Sequence, residues 1–183
     1  LIPYLSSSVI IGLMWRNILD PVVGILNRVL MQFGLPTQDW LSSYTGALPA
    51  IIGITVWQLV GYNMLLFLAG LQGIPDDYHQ AARIDGANSW SRFRHITIPL
   101  LAPTTLFVSV MSVINSLQAF AQAYVITQGG PADATRFFVF HVFDTAFNQN
   151  NLTYASALTF LMFIAVLILT IVQLSLNRHN LEY

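Results

Sequence analysis

Amide and hydroxyl side chains recur at helical spacing in parts of the chain that are otherwise apolar. Asn115, Gln118 and Gln122 are separated by three and four residues, which predicts that they share one face of a helix. Such groups beside aromatic rings suit a hydroxyl-rich ligand such as a sugar, which presents hydroxyls at its edge and apolar C–H faces. The candidate residues for the path of such a ligand are Trp57, Tyr62, Asn63, Asn115, Ser116, Gln118 and Gln122.

The same pattern has a second interpretation that needs no ligand. Amide side chains on apolar helices also form hydrogen bonds between helices, and small residues such as Ser109 and Ser112 allow helices to pack closely. Both interpretations stay open for any single residue of the group.

The sequence does not favour metal binding or a nucleic-acid partner. Cysteine is absent, and His79, His95, His141 and His179 pair with no carboxylate at ligand spacing, so no metal site is predicted. A formal net charge of −1 argues against a nucleic-acid partner. Asp144 precedes the last apolar stretch, and we expect it to be solvated.

Long uncharged stretches indicate the elements that must hold the polar residues. The sequence is 55% hydrophobic and 8% charged, whereas a soluble domain carries roughly a quarter charged residues. No Asp, Glu, Lys or Arg occurs in 40–75, 95–132 or 145–177, and each stretch exceeds the roughly 20 residues that a helix needs to cross a bilayer. The backbone of such stretches must be satisfied internally, which predicts an all-α, polytopic membrane protein.

We predict four spans, at 1–18, 47–72, 98–126 and 154–177. The first begins with Leu1 rather than Met, so we expect an N-terminal truncation. Apolar residues at helical spacing over 22–33, with Asn27 and Arg28 off the apolar stripe, predict a helix lying on the membrane surface. Gly129, Gly130 and Pro131 predict a turn on the same side of the membrane.

The segment 76–95, which we call the coupling loop, differs in composition from a simple connector. Asp76 or Asp77 is expected to cap a helix that Gly86 ends, and a second short helix is expected after Ser89. Trp90 is expected to share an apolar face of that second helix. The prediction is a rigid elbow of two helices at the inner membrane surface. The alternative is an amphipathic loop that only anchors the topology.

The coupling loop and the residues after it contain, in order, Gln80, Ala81, Ala82, Asp85, Gly86, Ala87, Phe93, Ile96, Thr97, Ile98, Pro99 and Pro103. This series resembles the cytoplasmic signature of the membrane subunits of binding-protein-dependent ABC importers, carbohydrate-uptake branch. Similar features occur along nearly the whole chain, at Trp15, Gly24, Asn27, Trp40, Trp57, Gly61, Ala69-Gly70-Leu71, Ile74-Pro75, Gly129-Gly130-Pro131 and Ala155-Ser156-Ala157. Gln80 departs from the family's Glu, so an ion pair with an ATPase would become a weaker neutral hydrogen bond.

The resemblance implies that residues 1–183 form part of an ABC transporter transmembrane domain in the bacterial cytoplasmic membrane, a permease rather than an enzyme. Its expected partners are an ABC ATPase dimer, a second permease subunit that is homologous but different, and an extracytoplasmic substrate-binding protein. The implied coupling residues are Gln80, Ala81, Ala82, Asp85, Gly86, Ala87 and Phe93, and the binding protein would contact Gly129, Gly130 and Pro131.

No nucleotide-binding glycine loop with Lys occurs in the chain, so ATP and Mg²⁺ would be bound by the partner ATPase. The implied transport is alternating access for a sugar, polyol or sugar phosphate. A secondary carrier driven by an ion gradient is the alternative, and it predicts ionisable residues inside the long spans, which the sequence lacks.

Overall fold

A computed structural model describes residues 1–177, and its regular structure is helical throughout that range. The described residues contain no strand, which confirms the all-α prediction within them. Arg178 and His179 lie outside the described residues.

The described range consists of α-helices interrupted by short π-helical turns. In chain order they are α1 (Ile2–Leu5), α2 (Ser8–Ile18), α3 (Ile25–Gln32), α4 (Ala47–Gln72), α5 (Asp76–Ile84), α6 (Ser89–Arg92), a π turn (Phe93–Thr97), α7 (Ile98–Leu100), α8 (Ala102–Leu117), π turns Ala123–Thr127 and Asp144–Asn148 on either side of α9 (Phe138–Phe143), and α10 (Leu152–Asn177).

Two helices within residues 1–177 are long and apolar enough to cross a membrane unaided. These are Ala47–Gln72 and, within α10, Leu152–Ser175. They confirm the spans predicted at 47–72 and 154–177. Helix α10 is apolar around its whole circumference, with Phe160, Phe163 and Ile171 all more than half exposed, as expected of a helix that contacts lipid.

The span predicted at 1–18 is wrong as a single helix. The chain leaves helical geometry at Ser6, where ψ is 149°, and residues 1–18 form the short helix α1 followed by the 11-residue α2. At 1.5 Å per residue, α2 is too short to cross the roughly 30 Å of hydrocarbon.

The span predicted at 98–126 is also interrupted. The segment Ser89–Leu100 and helix α8 meet at a bend of 60°, and together they satisfy the length and composition of one broken span. Pro103 explains the bend, because it lacks an N–H and its ring clashes with the carbonyl four residues earlier. The helix then ends after Leu117, and helical structure resumes only before the π turn Ala123–Thr127.

The described chain divides into two compact units. The first unit contains Leu1–Gly61 and Asn115–Leu161. Its core has one cluster of Ile11, Leu19, Ile54 and Ile126, with Trp15, Leu26 and Trp40 against it. A second cluster contains Ile51, Ala123 and Phe140, with Phe120 and Phe137 against it. The helix predicted over 22–33 is confirmed as α3 within this unit.

The second unit contains Tyr62–Ile114 and the described part of Met162–Tyr183. It holds the whole coupling loop, the C-terminal part of α4 and most of α8. Within it, α4 approaches α8 closely at Gly70, whose nearest neighbours include Thr104 and Leu101.

Candidate functional site

Helix α5 forms the first arm of the coupling loop. Its N-cap is Pro75, with no side-chain capping hydrogen bond, so the expected capping by Asp76 or Asp77 is wrong. Both carboxylates lie in the first turn and Arg83 lies in the last. Negative charge near the N-terminus and positive charge near the C-terminus both favour the helix dipole, so these residues stabilise α5 without capping it.

Gly86 ends this helix through a Schellman motif. Its N–H donates to the Arg83 carbonyl at 3.1 Å, and the Ala87 N–H donates to the Ala82 carbonyl at 2.9 Å. Gly86 has a φ of +79°, in the left-handed region that only glycine enters without strain. The prediction that Gly86 ends the helix is confirmed.

The second arm begins at a capped helix and continues as a π turn. The Asn88 Oδ1 accepts the Ser91 N–H at 2.8 Å, which caps α6. The Ile98 N–H then donates to the Phe93 carbonyl, five residues earlier. Pro99 has no N–H to offer the normal helical ladder, which favours this wider turn. Within the arm, the Trp90 and Phe93 rings lie 5.8 Å apart.

The coupling loop exposes large apolar side chains within the described chain. Ile84 is 87% exposed and Trp90 67% exposed, while Tyr78 and Phe93 are about half exposed. Of the predicted coupling residues, Gln80, Ala81, Asp85, Gly86 and Phe93 are exposed, and Ala82 and Ala87 are half-buried. The loop therefore presents a surface of mixed apolar and polar side chains. Capping hydrogen bonds fix its backbone where α5 ends and where α6 begins.

A chain of hydrogen bonds links two of the polar stretches in the first unit. The Gln122 Nε2 donates to the Gln58 Oε1 at 3.1 Å, and the Gln58 Nε2 donates to the Ser8 Oγ at 3.2 Å. Gln58 is buried, and it connects α2, α4 and the segment before the π turn at Ala123. For Gln122 the interpretation as a hydrogen bond between helices is therefore the one that the geometry supports. We call this set the amide relay.

The remaining path candidates occupy other positions. Trp57 is 40% exposed, and its ring packs edge-on to Trp15 at 5.4 Å. Asn115 and Ser116, in the last turn of α8, and Gln118, just after it, are exposed. Tyr62 and Asn63 are half-buried on α4 and belong to the second unit.

The prediction that Asn115, Gln118 and Gln122 share one helix face is wrong. Helix α8 ends at Leu117, and the chain is non-helical at Ala119 and Phe120 before helical structure resumes. Phe120 packs at 5.2 Å from Tyr124 and 4.9 Å from Phe143. Aromatic packing in the first unit thus accompanies the break that separates Gln122 from Asn115.

The glycine turn predicted at 129–131 is present and is closed by threonine side chains. The Thr135 Oγ1 donates to the Gly130 carbonyl at 2.8 Å and lies 2.6 Å from the Thr127 Oγ1. Gly129 is buried against Phe140, while Ala132 and Asp133 are exposed and have positive φ. Between residues 129 and 135 the exposed residues are therefore Ala132 and Asp133, which we call the apex of the turn, and not Gly129.

Asp144 is held by several partners, so the expectation that it is solvated is wrong. It forms an ion pair with Arg136 and accepts hydrogen bonds from Asn148 at 2.8 Å and Gln149 at 3.1 Å. Its side chain is 21% exposed. The hydrogen bond from Asn148 is the main cause that lowers the pKa of Asp144, and Gln149 and Arg136 lower it further against the effect of burial.

Asn27 is the residue that sequence reasoning placed most inaccurately. Expected on the polar face of a surface helix, it is 1% exposed. Its Nδ2 donates to the carbonyls of Pro21 and Gln38, and its Oδ1 accepts the Gln38 N–H and the Trp40 Nε1–H, all at 3.0 to 3.1 Å. These four bonds, which we call the Asn27 clamp, use the full hydrogen-bonding capacity of the amide.

The turn before α3 is also held by hydrogen bonds between a side chain and the backbone. The Asp20 Oδ1 accepts the backbone N–H groups of Val22 and Val23, each at 2.9 Å. These bonds, led by the one from Val23, lower the pKa of Asp20. A Cβ at Gly24 would overlap the Asp20 carbonyl oxygen, so the backbone requires glycine there. The presence of Gly24, Asn27 and Trp40 in the family resemblance was the only sequence signal for this arrangement.

The family model and the similar proteins identify the same family. A model described as "Binding-protein-dependent transport system inner membrane component" matches residues 2–180. The probable ABC transporter permease protein YesP of Bacillus subtilis is 37% identical over 98% of this chain and 58% of that protein. The trehalose/maltose transport system permease protein MalF of Thermococcus litoralis is 36% identical over 97% of this chain and 60% of that protein.

A solved structure shows the same fold. A chain in the crystal structure of a bacterial alginate ABC transporter, in complex with an alginate pentasaccharide-bound periplasmic protein, superposes with a TM-score of 0.87 at 20% identity. The match covers 98% of this chain and 63% of that one. The chain thus spans about 60% of the length of the proteins it matches.

Proposed function

Because the chain belongs to the family of binding-protein-dependent transport system inner membrane components, we propose that it is part of the permease subunit of an ATP-driven importer in the cytoplasmic membrane. The single observation that carries the proposal is the coupling loop. Helices α5 and α6 and the π turn after them expose Tyr78, Ile84, Trp90 and Phe93, and Gly86 between the helices has a left-handed backbone conformation. A stiff element with an exposed apolar surface suits docking and movement as a unit.

The partner proposed for this surface is an ABC ATPase dimer on the cytoplasmic side, which would hold ATP and Mg²⁺. The chain itself contains no Lys and no nucleotide-binding loop. Ile84 and Trp90 would enter an apolar groove on the partner, as amphipathic helices do when they bind proteins. Gln80 would contribute a neutral hydrogen bond, and Asp85 follows at the C-terminal end of the same helix.

The proposed substrate is a sugar, a related polyol or a sugar phosphate. Three observations support a hydroxyl-rich cargo: the exposed Asn115, Ser116 and Gln118, the partly exposed Trp57, and the sugar-transport names of the relatives. Under alternating access, closure of the ATPase dimer would move the coupling loop and change the exposure of the path. The amide relay would keep the helices that border the path in register.

Two further partners complete the proposal. A second permease subunit, homologous but different, would supply the other half of the pore. An extracytoplasmic binding protein would deliver the cargo at the turn 128–135, and the exposed apex at Ala132 and Asp133 is the part placed to meet it. The crystal structure with a bound periplasmic protein supports this arrangement by analogy of fold.

The test is reconstitution of the complete importer that contains this chain in liposomes. We expect uptake to require ATP inside and loaded binding protein outside, and to survive collapse of ion gradients by ionophores. Uptake that stops with the ionophore and needs no ATP would identify a secondary carrier and overturn the proposal.

A pair of variants tests the docking surface within the same system. Ile84→Ser should lower the amount of ATPase retained on the purified permease, because it removes the most exposed apolar side chain of the loop. Val22→Ser is the matched control, since Val22 is 79% exposed but lies in the first unit. Equal ATPase retention by both variants would contradict docking at α5.

A further inference from the structure

Gly70 lies where the two arms of the coupling loop converge on the membrane helices. It is two residues before the end of α4, and only three residues separate the end of α4 from the start of α5. The other arm, Ser89–Leu100, leads into α8 at the 60° bend. Both arms therefore connect to the membrane helices within a few residues of Gly70 and Leu101.

The approach between α4 and α8 at this point leaves no space for a side chain. A Cβ at Gly70 would overlap the Thr104 Oγ1, and it would lie 3.0 Å from the Leu101 Cδ2 and 3.1 Å from the Thr104 Cβ. Contacts below about 3.4 Å force a neighbour to move. Thr104 follows Pro103 directly, so its position is tied to the bend.

Another glycine of the same helix shows that this closeness is local. A Cβ at Gly53 would meet no atom within 4 Å. Gly53 and Gly70 have the same secondary structure, and only Gly70 is a close contact. Small residues at such contacts bring helix backbones together, and in lipid this packing replaces the missing hydrophobic driving force.

We propose that the contact of Gly70 with Thr104 is the fulcrum that transmits movement of the coupling loop to α8, and that Gly70 and Thr104 are positioning residues for transport. This inference rests on the importer function proposed above. A push on Ser89–Leu100 reaches α8 at Leu101 and Thr104, and α8 can tilt rather than slide because Thr104 bears on the backbone of α4. Asn115 and Ser116 lie at the far end of α8, so a tilt about Thr104 displaces them most.

The test is a double-mutant cycle in the complete reconstituted importer. Gly70→Ala adds a methyl group to a filled contact, and Thr104→Ala removes the Oγ1 atom that a Cβ at Gly70 would overlap. Each single change should lower the stimulation of ATP hydrolysis by loaded binding protein about fivefold, within the range by which residues between coupled sites alter coupling. The double variant Gly70→Ala/Thr104→Ala should regain most of the stimulation, because the new methyl group occupies the vacated space.

Gly53→Ala is the matched control and should behave as wild type. All variants are compared at equal amounts of assembled complex, so a purely structural loss appears as low yield and leaves the stimulation ratio unchanged. If Gly70→Ala does not assemble, Thr104→Ala still decides, because removing atoms creates no overlap. Full stimulation in both single variants, or additive losses in the double variant, would overturn the fulcrum while the importer function stands. Absence of stimulation in the wild-type complex would instead overturn the importer function.

Discussion

Helices α3 and α5, one in each unit, end with the same backbone motif but have different surroundings. At the end of α3 the Gly34 N–H donates to the Met31 carbonyl at 3.0 Å, and the Leu35 N–H donates to the Leu30 carbonyl at 2.9 Å. These are the same two bonds that end α5 at Gly86. The two glycines have φ of +70° and +79°.

The side chains around the two helices differ. Asn27 of α3 is buried and joins Pro21, Gln38 and Trp40. The side chains of α5 are mostly exposed, and none of its residues is buried. In the first unit, hydrogen bonds of a buried polar side chain thus hold the segment around α3. In the second unit, hydrogen bonds at the helix ends hold the backbone of the coupling loop. This difference is what the proposed docking of a partner on the coupling loop requires.

The largest expected effect comes from removing the Asn27 clamp. Asn27→Ala would leave the Gln38 N–H, the Trp40 Nε1–H and two carbonyls without partners in a buried site. Each such group costs roughly 1 to 3 kcal/mol, and with partial rearrangement we expect a loss of about 3 kcal/mol in the free energy of unfolding. Denaturant unfolding of the detergent-solubilised chain, followed by tryptophan fluorescence, measures it.

Asn17→Ala is the matched control for the clamp. The exposed Asn17 makes one hydrogen bond, from its Nδ2 to the Leu13 carbonyl. Its replacement should change the free energy of unfolding by about 0.5 kcal/mol or less. Similar losses for Asn27→Ala and Asn17→Ala would mean that buried polar groups do not hold the first unit, and the contrast between the units would fail.

The two Schellman glycines give a smaller effect that separates stability from coupling. Gly34→Ala and Gly86→Ala each place a Cβ in the left-handed region, and a Cβ at either position would meet no atom within 4 Å. Each should therefore lower the free energy of unfolding by about 1 kcal/mol. Only Gly86→Ala should reduce stimulation of the ATPase, since Gly86 sets the angle of the coupling loop. Equal coupling in the two variants would contradict that role.

The sequence predicted those elements of the fold that depend on local composition. The ranges 47–72 and 154–177 agree with α4 and α10 because a long uncharged apolar run needs no distant contact to become a helix. The break in 1–18 and the end of α8 at Leu117 were missed. A continuous apolar composition conceals breaks that are made by backbone geometry at Ser6 or by the packing of Phe120 with other aromatic rings.

In the candidate site, too, the sequence predicted the features that depend on local residues and missed those that depend on distant contacts. The end of α5 at Gly86 could be predicted because a left-handed glycine is a local requirement. The Asn27 clamp could not, because its partners Gln38 and Trp40 are 11 and 13 residues away, and helical spacing alone placed Asn27 on the polar face. Gln122 pairs with Gln58, which is 64 residues away, so the sequence left two interpretations open for Gln122 that only the fold distinguishes.

The smallest expected effect is a dependence of stability on pH that arises in the first unit. The pKa of Asp144 is lowered in the folded chain, first by the hydrogen bond from Asn148 and then by Gln149 and Arg136. A lowered pKa means that the carboxylate stabilises the folded chain above the unfolded pKa of about 3.9. That stabilisation is lost as pH falls from there through the folded pKa. Thermal unfolding in detergent between neutral and acidic pH should show a larger loss in the wild type than in Asp144→Asn, which keeps the contribution of Asp20.

The relative effects of replacing the partners of Asp144 test whether residues of the first unit hold its carboxylate in place. Asn148→Ala should raise the pKa of Asp144 more than Gln149→Ala does, and so weaken the pH dependence more, because the bond from Asn148 is the larger cause. Asn148→Asp is a further probe, since a second carboxylate there would repel Asp144 instead of donating to it. If all three variants kept the pH profile of the wild type, the network around Asp144 would not contribute to the first unit. The Asn27 clamp and the amide relay would then have to account for its rigidity alone.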